Sequence, residues 1–185
     1  SAPHERSRLE SPHRGLVSHS NVMNKLVHFL ARIFKGEDVI LVPQTKEQWE
    51  RQFADGTWDR LREGQPNTTE LARLIFEYAH TKGGNIRVLD VGCGNGGLAR
   101  LLTIGSGIAY TGIDISETAL AAARVLVPRG NFITADAEQP PSDMGAFDVL
   151  VFNEVLYYMN PDRVLPRYHM HATADTRIFI SVLHF

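Results

Sequence analysis

The sequence predicts an α/β fold in which a mostly parallel sheet carries helices on both faces, and two observations support this. From Ile86 onward, short runs rich in β-branched and aromatic residues alternate with helical patterns, the rhythm of strand–helix–strand units. The run "IRVLDV" is apolar on both faces apart from Arg87 at its start and Asp90, as a strand buried between helical layers must be. Such units join parallel strands through right-handed crossovers.

The elements follow in order. Residues 1–20 are rich in His, Arg, Ser and Pro without apolar periodicity, which predicts a mobile tail. Their histidines lack HxxxH or CxxC spacing, so no metal site is expected. Residues 21–65 read as a helical extension. Val22, Leu26, Phe29, Leu30 and Ile33 recur at helical spacing, with Ser20 or Asn21 as cap and Gly36 as stop. "DVILVP", Asp38 to Pro43, reads as a short strand. A helix from about Lys46 to Ala54, a turn at Asp55-Gly56 and a further short helix come next.

The core is expected over 66–185. Pro66 to His80 reads as a helix starting near Asn67 or Thr68, with Leu71, Leu74, Ile75 and Tyr78 on or near one face and Gly83-Gly84 ending it. Then come strand "IRVLDV", helix "GGLARLLT", strand "IAYTGIDI", and helix "SETALAAARVLV" capped by Ser116. Strands "NFITAD" and "FDVLVFN" follow, then "PDRVLPRYHM", mostly helical with a break expected at Pro166, and a last strand "TRIFISVLHF". No internal repeat is present.

Composition excludes several classes. A net charge of -2, from 19 basic and 21 acidic residues, argues against a polyanion-binding surface, so no nucleic-acid partner is expected. No apolar run approaches the length that spans a bilayer, so no membrane partner is expected. Cys93 is the only cysteine, which forbids an intramolecular disulfide and fits a reducing, cytoplasmic setting.

Chemistry concentrates in "VLDVGCGNGGLAR". Gly92, Gly94, Gly96 and Gly97 crowd the end of the first core strand, where ligands of parallel sheets sit. The GxGxxG spacing admits a nicotinamide or flavin nucleotide, but Asp90 would repel a pyrophosphate and suits a ligand with a cationic end. Asp114, ending the next strand, can accept hydrogen bonds from both hydroxyls of a ribose. Asp136, after the third strand, can meet an adenine amino group. Caps and turns are the alternative reading for each acid. Together they imply a cation, a ribose and an adenine without phosphate, which is S-adenosylmethionine. Its carboxylate would meet backbone N–H groups near Gly96-Gly97.

"VLDVGCGNGGLARLL", "YTGIDISETALAAAR", "FITADAEQ" and "FDVLVFNEVLYYM" resemble, in order and spacing, the successive motifs of the class I S-adenosylmethionine-dependent methyltransferases. The resemblance covers about the last hundred residues and implies a Rossmann-like sheet. It places Asp90, Gly92, Gly94 and Gly96 along the methionine portion, with Cys93 and Asn95 in the same loop. It also puts Asp114 on the ribose, Ile115 against the adenine, Asp136 and Ala137 at the adenine edge, and Asn153 and Glu154 beside the sulfonium and substrate. "WERQFADGTWDRL" resembles the N-terminal lid of small-molecule members, with Trp49, Phe53 and Trp58 as lid residues. Trp58, Tyr157 and Tyr158 are candidates for acceptor contact.

Sheets of this family continue past the fifth strand with a helix and an antiparallel pair, whereas this sequence stops at Phe185. Either the sequence is a fragment lacking the last two strands, or the fifth strand is expected to need cover, from "DVILVP" or from a second copy in a homodimer.

Methyl transfer from a sulfonium is an in-line displacement. Alignment and water exclusion dominate, worth roughly 7–11 kcal/mol, and a base matters only where the nucleophile must lose a proton. Glu154 and Tyr157 are the candidates for catalysis. His184 is a base only if it faces the cleft, His169 and His171 read as surface residues, and Cys93 reads as packing. The expected function is methyl transfer to an oxygen or nitrogen of a small molecule. "FNEVLYY" lacks the Asn/Asp-Pro-Pro-aromatic signature of DNA amino-methyltransferases. A cofactor-binding but inactive module, a partner subunit or a truncated domain is the second reading, and a nicotinamide-dependent oxidoreductase the third.

Overall fold

A computed structural model describes residues 44–104 and 107–182. The expected helix over 22–36, the strand 38–43, the tail and His184 lie outside the described residues. The strands are β1 (Arg87–Val91), β2 (Ala109–Asp114), β3 (Asn131–Thr134), β4 (Phe147–Asn153) and β5 (Ala172–Ser181). They form one parallel sheet in the order β3-β2-β1-β4-β5. The order reverses between β1 and β4, whose register pairs Asp90 with Val151 and Val91 with Phe152. This is the topological switch point of an open α/β sheet, where its ligand crevice lies.

The helices are α1 (Lys46–Ala54), α2 (Pro66–Thr81), α3 (Gly97–Thr103), α4 (Glu117–Leu126) and the short α5 (Pro161–Val164). Alternation along the strands explains the layers. Val88, Val149 and Val151 pack with Leu71, Ile75, Leu98, Leu102, Leu120 and Ala123 of α2, α3 and α4. Leu89, Val91, Leu150 and Phe152 face the other way, onto Leu156, Val164, Leu165 and Tyr168. Each such branched side chain, fully buried, contributes roughly 1.5–3 kcal/mol, so β1 and β4 are held from both sides.

Local signals explain the ends. Thr45 and Gln48 form a reciprocal capping box on α1, and Ser116 caps α4 by accepting from Ala119 N. α2 begins one residue before expectation: Pro66 is its first residue and Gln65 its cap position, without a side-chain cap, because the fixed φ of proline is prepared for a first turn. Leu74 is exposed, and Thr68, Ala72 and Ala79 complete the buried face.

The segment after β4 differs more. α5 spans one turn, and a 3-10 helix, Leu165–His171, takes over before Pro166. With three residues per turn, Leu165, Tyr168 and His171 stack on one face, and all three are fully buried. His171 is therefore not a surface residue: it sits beside the Phe147 and Tyr168 rings, with Nδ1 2.9 Å from Gly145 O. His169 is exposed, as expected.

Candidate cofactor and acceptor site

The carboxyl ends of β1, β2 and β4 meet at one edge of the sheet. After β1 the chain turns through Gly92 at φ +71°, Gly94 at +53° and Gly96 at +88°, a left-handed region that favours glycine. At Gly92 space is also closed, because a Cβ would lie 2.3 Å from Val155 Cγ2. The loop is anchored to β2, since Gly92 N and Cys93 N both donate to Ile113 O. Asp114 Oδ2 accepts from Gly94 N at 2.8 Å, and Oδ1 accepts from Ser116 N at 2.9 Å. Burial raises the Asp114 pKa, the Ser116 and Gly94 N–H groups oppose that, and the nearby Glu50 charge adds to it.

Asp90 is 1% exposed and does not stand open toward the loop. Its Oδ2 accepts from Tyr110 OH at 2.6 Å, while its Oδ1 is buried with no partner among the described residues. Burial pushes its pKa up to about 7, against the opposing Tyr110 hydrogen bond and with the Asp114 charge adding. Burying an unpaired carboxylate is costly, so the group neutralises by shifting its pKa. Cys93 is buried against Gly112. Burial first, then the Asp114 and Asp90 charges, raise its thiol pKa, so the thiol stays protonated and acts as packing.

The other predicted positions take distinct places. Asn95 is 2% exposed and donates from Nδ2 to Trp58 O at 2.8 Å, reaching the N-terminal segment rather than an open loop. Ile115 is partly exposed beside Asp114. Asp136 Oδ1 accepts from Glu138 N at 2.8 Å, a local turn that leaves the side chain partly exposed. Ala137 is partly buried and its carbonyl accepts from Tyr168 OH. Asn153 Nδ2 lies 3.4 Å from Thr68 Oγ1, and its Oδ1 is buried without a partner among the described residues.

Glu154 follows β4 with φ +56°, the one positive φ outside glycine among the described residues. Such strain persists where surrounding contacts fix it. Glu154 Oε1 accepts from Asn67 Nδ2 at 2.7 Å and from Ser181 Oγ, Oε2 accepts from Tyr157 OH at 2.7 Å, and its N–H donates to Ser181 O. Residues from α2, β5 and the post-β4 turn therefore hold one carboxylate. Tyr157 and Tyr158 are both half-buried and Leu156 takes the core position.

Segment 44–65 closes over this edge. Phe53 Cζ lies 3.5 Å from where a Gly94 Cβ would stand. Trp49 packs on Phe53 at 6.2 Å, on Trp58 at 6.0 Å, and edge-on against Tyr158 at 4.8 Å between ring centroids. Arg100 donates to Arg62 O and Glu63 O. Glu50 of α1 accepts from Ser116 Oγ at 2.9 Å, Glu117 N at 2.8 Å and Thr118 N at 3.0 Å. Desolvation pushes the Glu50 pKa up, but the hydrogen bonds from Thr118, Glu117 and Ser116 outweigh it and hold it at about 2. Sequence reading missed Glu50, Asn67, Tyr110 and Ser181. Tyr110 alone carried a signal, as the one tyrosine in a strand beside a buried acid.

A group bearing a cation, a diol and a flat base fits these residues. The loop between Gly92 and Gly96 offers bare backbone, Asp114 ends β2, and the unpartnered Asp90 Oδ1 and Asn153 Oδ1 are acceptors that only a donor completes. Among the described residues, no group of His, Cys, Asp and Glu could hold a metal ion, and no helix is long and apolar enough to cross a membrane.

Comparison with known proteins agrees with this geometry. Residues 88–172 match the family described as "Methyltransferase domain". The ubiquinone biosynthesis O-methyltransferase of Azotobacter vinelandii is 30% identical over 137 residues, covering 69% of this chain and 57% of that protein. The 27-O-demethylrifamycin SV methyltransferase of Amycolatopsis mediterranei is 32% identical over 125 residues, covering 62% of this chain and 44% of that protein. The chain thus spans about half the length of the curated relatives it matches. The structure of the plantazolicin methyltransferase BpumL in complex with SAH superposes with a TM-score of 0.58 at 21% identity, over 86% of this chain and 61% of that one, a likeness of fold. The motifs at the ends of β1, β2 and β4, the reversal of strand order between them and the family match converge: this chain belongs to the class I S-adenosylmethionine-dependent methyltransferases.

Proposed function

We propose that this chain binds S-adenosylmethionine at the β1/β4 switch point and transfers its methyl group to an oxygen or nitrogen of a small-molecule acceptor. The observation that carries the reading is the meeting of the Gly92–Gly96 loop, Asp114 and Glu154 at one sheet edge. The named relatives, which methylate small molecules, support it. In this reading Gly92, Cys93, Gly94, Asn95 and Gly96 bound the methionine portion, with Asp90 behind them. Asp114 holds the ribose, Ile115, Asp136 and Ala137 border the adenine, and Asn153 stands beside the sulfonium. When bound, the cofactor supplies an electrophilic methyl carbon.

The chain's own residues align and enclose. Residues 44–65 act as a lid, with Trp49, Phe53 and Trp58 excluding water from the reacting atoms, and alignment in such a dry site contributes most of the rate. Glu154, with Tyr157 on its Oε2, faces the acceptor and receives a proton where the acceptor must lose one. Residues 66–185 form the catalytic core. The acceptor is a small molecule, β5 is the edge at which a second copy pairs, and the buried thiol of Cys93 suits a reducing cytoplasm.

The test is calorimetric titration with S-adenosylhomocysteine, with NADH as control. Micromolar binding of the first and none of the second is expected. Binding of NADH alone, or of neither, overturns the reading.

A further inference from the structure

Helix α1 has nine residues and none of them is buried. Length and core burial therefore do little to sustain it, and such an element lies at the low end of local stability. Three of its side chains reach the segments that follow three different strands. Trp49 meets Tyr158, after β4, edge-on at 4.8 Å between ring centroids. Phe53 lies against Gly94, after β1. Glu50 accepts from Ser116 Oγ, Glu117 N and Thr118 N, after β2. Of these three contacts only that of Glu50 is ionic and directional, and hydrogen bonds to a charged acceptor are the stronger kind. Residues 58–63 are fastened separately. Asn95 donates to Trp58 O and Arg100 to Arg62 O and Glu63 O. Leu61 O sits so close to α3 that a Cβ on Gly97 would lie 2.3 Å from it. Between the two parts runs the turn at 55–57, with Gly56 at φ +80°. The geometry lets α1 lift about this turn while the 3-10 helix Asp59–Glu63 stays in place.

We propose that Glu50 is a positioning residue: it latches α1 across the cofactor crevice and sets how long the cofactor stays. The proposal rests on the methyl-transfer reading and adds to it the step by which the cofactor is exchanged. Ser116, which gives its hydroxyl hydrogen to Glu50, gives its N–H to Asp114 Oδ1 at 2.9 Å. The Glu50 charge is also near enough to raise the Asp114 pKa. A ligand held by Asp114 and the glycine loop therefore enters and leaves beside Glu50, past α1. Entry and exit both pass through the lifted state, so a weaker latch raises both rates. Loss of a ligand contact would raise the exit rate alone. Removing a side-chain acceptor from a helix N-terminus shifts an equilibrium roughly fivefold, and that is the size of effect expected.

The two tryptophans of the sequence stand in α1 and just past its turn and pack on each other, so their fluorescence follows the lift. Stopped-flow mixing of the whole chain with S-adenosylhomocysteine gives both rate constants. In Glu50→Ala, dissociation is expected to quicken at least fivefold and association at least twofold. In Arg100→Ala, which loosens residues 58–63 and not α1, both rates stay within twofold. Glu50→Gln keeps one acceptor oxygen and is expected to release at least twofold faster; it carries the test if Glu50→Ala does not fold. Unchanged release in the Glu50 variants, faster release with unchanged or slower association, or equal acceleration in Arg100→Ala overturns the proposal. Acrylamide quenching of the tryptophans, without ligand, separates this failure from that of the methyl-transfer reading. If S-adenosylhomocysteine does not bind the wild-type chain at millimolar concentration, that reading falls. A rise in quenching in Glu50→Ala then upholds the latch on α1, and unchanged quenching overturns it.

Discussion

The Tyr110 hydroxyl donates to Asp90 Oδ2 at 2.6 Å inside the sheet, and among the described residues this is the one partner of an acid otherwise sealed from water. A hydrogen bond to a charged group is worth roughly 1.5–3 kcal/mol, less than full desolvation of a carboxylate costs. Asp90 therefore titrates near neutrality instead of near its ordinary value.

The sign of the resulting pH dependence is fixed. A carboxyl whose folded pKa is raised contributes stability that is fully present below its unfolded value of 3.8 and is lost as pH rises through about 7. Asp114 shifts in the same direction. The ligand-free chain is expected to lose melting temperature between pH 5 and pH 8, and Asp90→Asn to flatten that slope, as read by scanning calorimetry across buffers. An unchanged slope in the variant would remove Asp90 as its source.

Glu50 behaves oppositely and in another window. Its folded pKa is depressed to about 2 from 4.5, so its contribution is present above 4.5 and lost as pH falls through about 2. At neutral pH, Glu50→Ala removes acceptors from the first turn of α4, at a cost of about 1 kcal/mol by analogy with capping residues. Hydrogen exchange should quicken in 46–54 and in the amides of Glu117 and Thr118, with the β1 and β4 amides unaffected. Acceleration spread evenly over the sheet would contradict a local role.

Gly92 and Val155 form a testable pair. Gly92→Ala adds a Cβ 2.3 Å from Val155 Cγ2 at a position with φ +71°. Two penalties arise: overpacking, of about 1–3 kcal/mol, and left-handed strain, of roughly 1–2 kcal/mol. The double variant Gly92→Ala with Val155→Ala should recover the first and not the second, measured by urea denaturation. Full recovery would show that the backbone conformation costs nothing here.

Much of the architecture was legible because its causes are local. The apolar runs of β1 and β4, the Ser116 cap and the glycine-dense turn each announce themselves within a few residues. The clasp between Glu50 and Ser116 spans 66 positions and that between Asn67 and Glu154 spans 87. No periodicity encodes such pairs, since a polar side chain on a helix looks solvated until a distant backbone is laid against it. His171 was misread for a different reason. Its neighbours repeat every three residues, as in a 3-10 helix, which stacks His171 with Leu165 and Tyr168 in the core although its polar residue type reads as surface. The three acids do stand at the strand ends, but their partners were not legible: Asp90 turns to Tyr110, Asp114 to Gly94 and Ser116, and Asp136 to its own turn.

Ser116 gives its N–H to Asp114 and its hydroxyl hydrogen to Glu50. One residue thereby joins the acid at the end of β2 to the acid that fastens the N-terminal segment. A ligand that draws on Asp114 is expected to change the pull on Glu50, and by reciprocity the fastening would then change the affinity at Asp114 by the same factor. Grip and release thus share one hinge-pin, and a variant that tightens the grip should slow the release of whatever Asp114 holds.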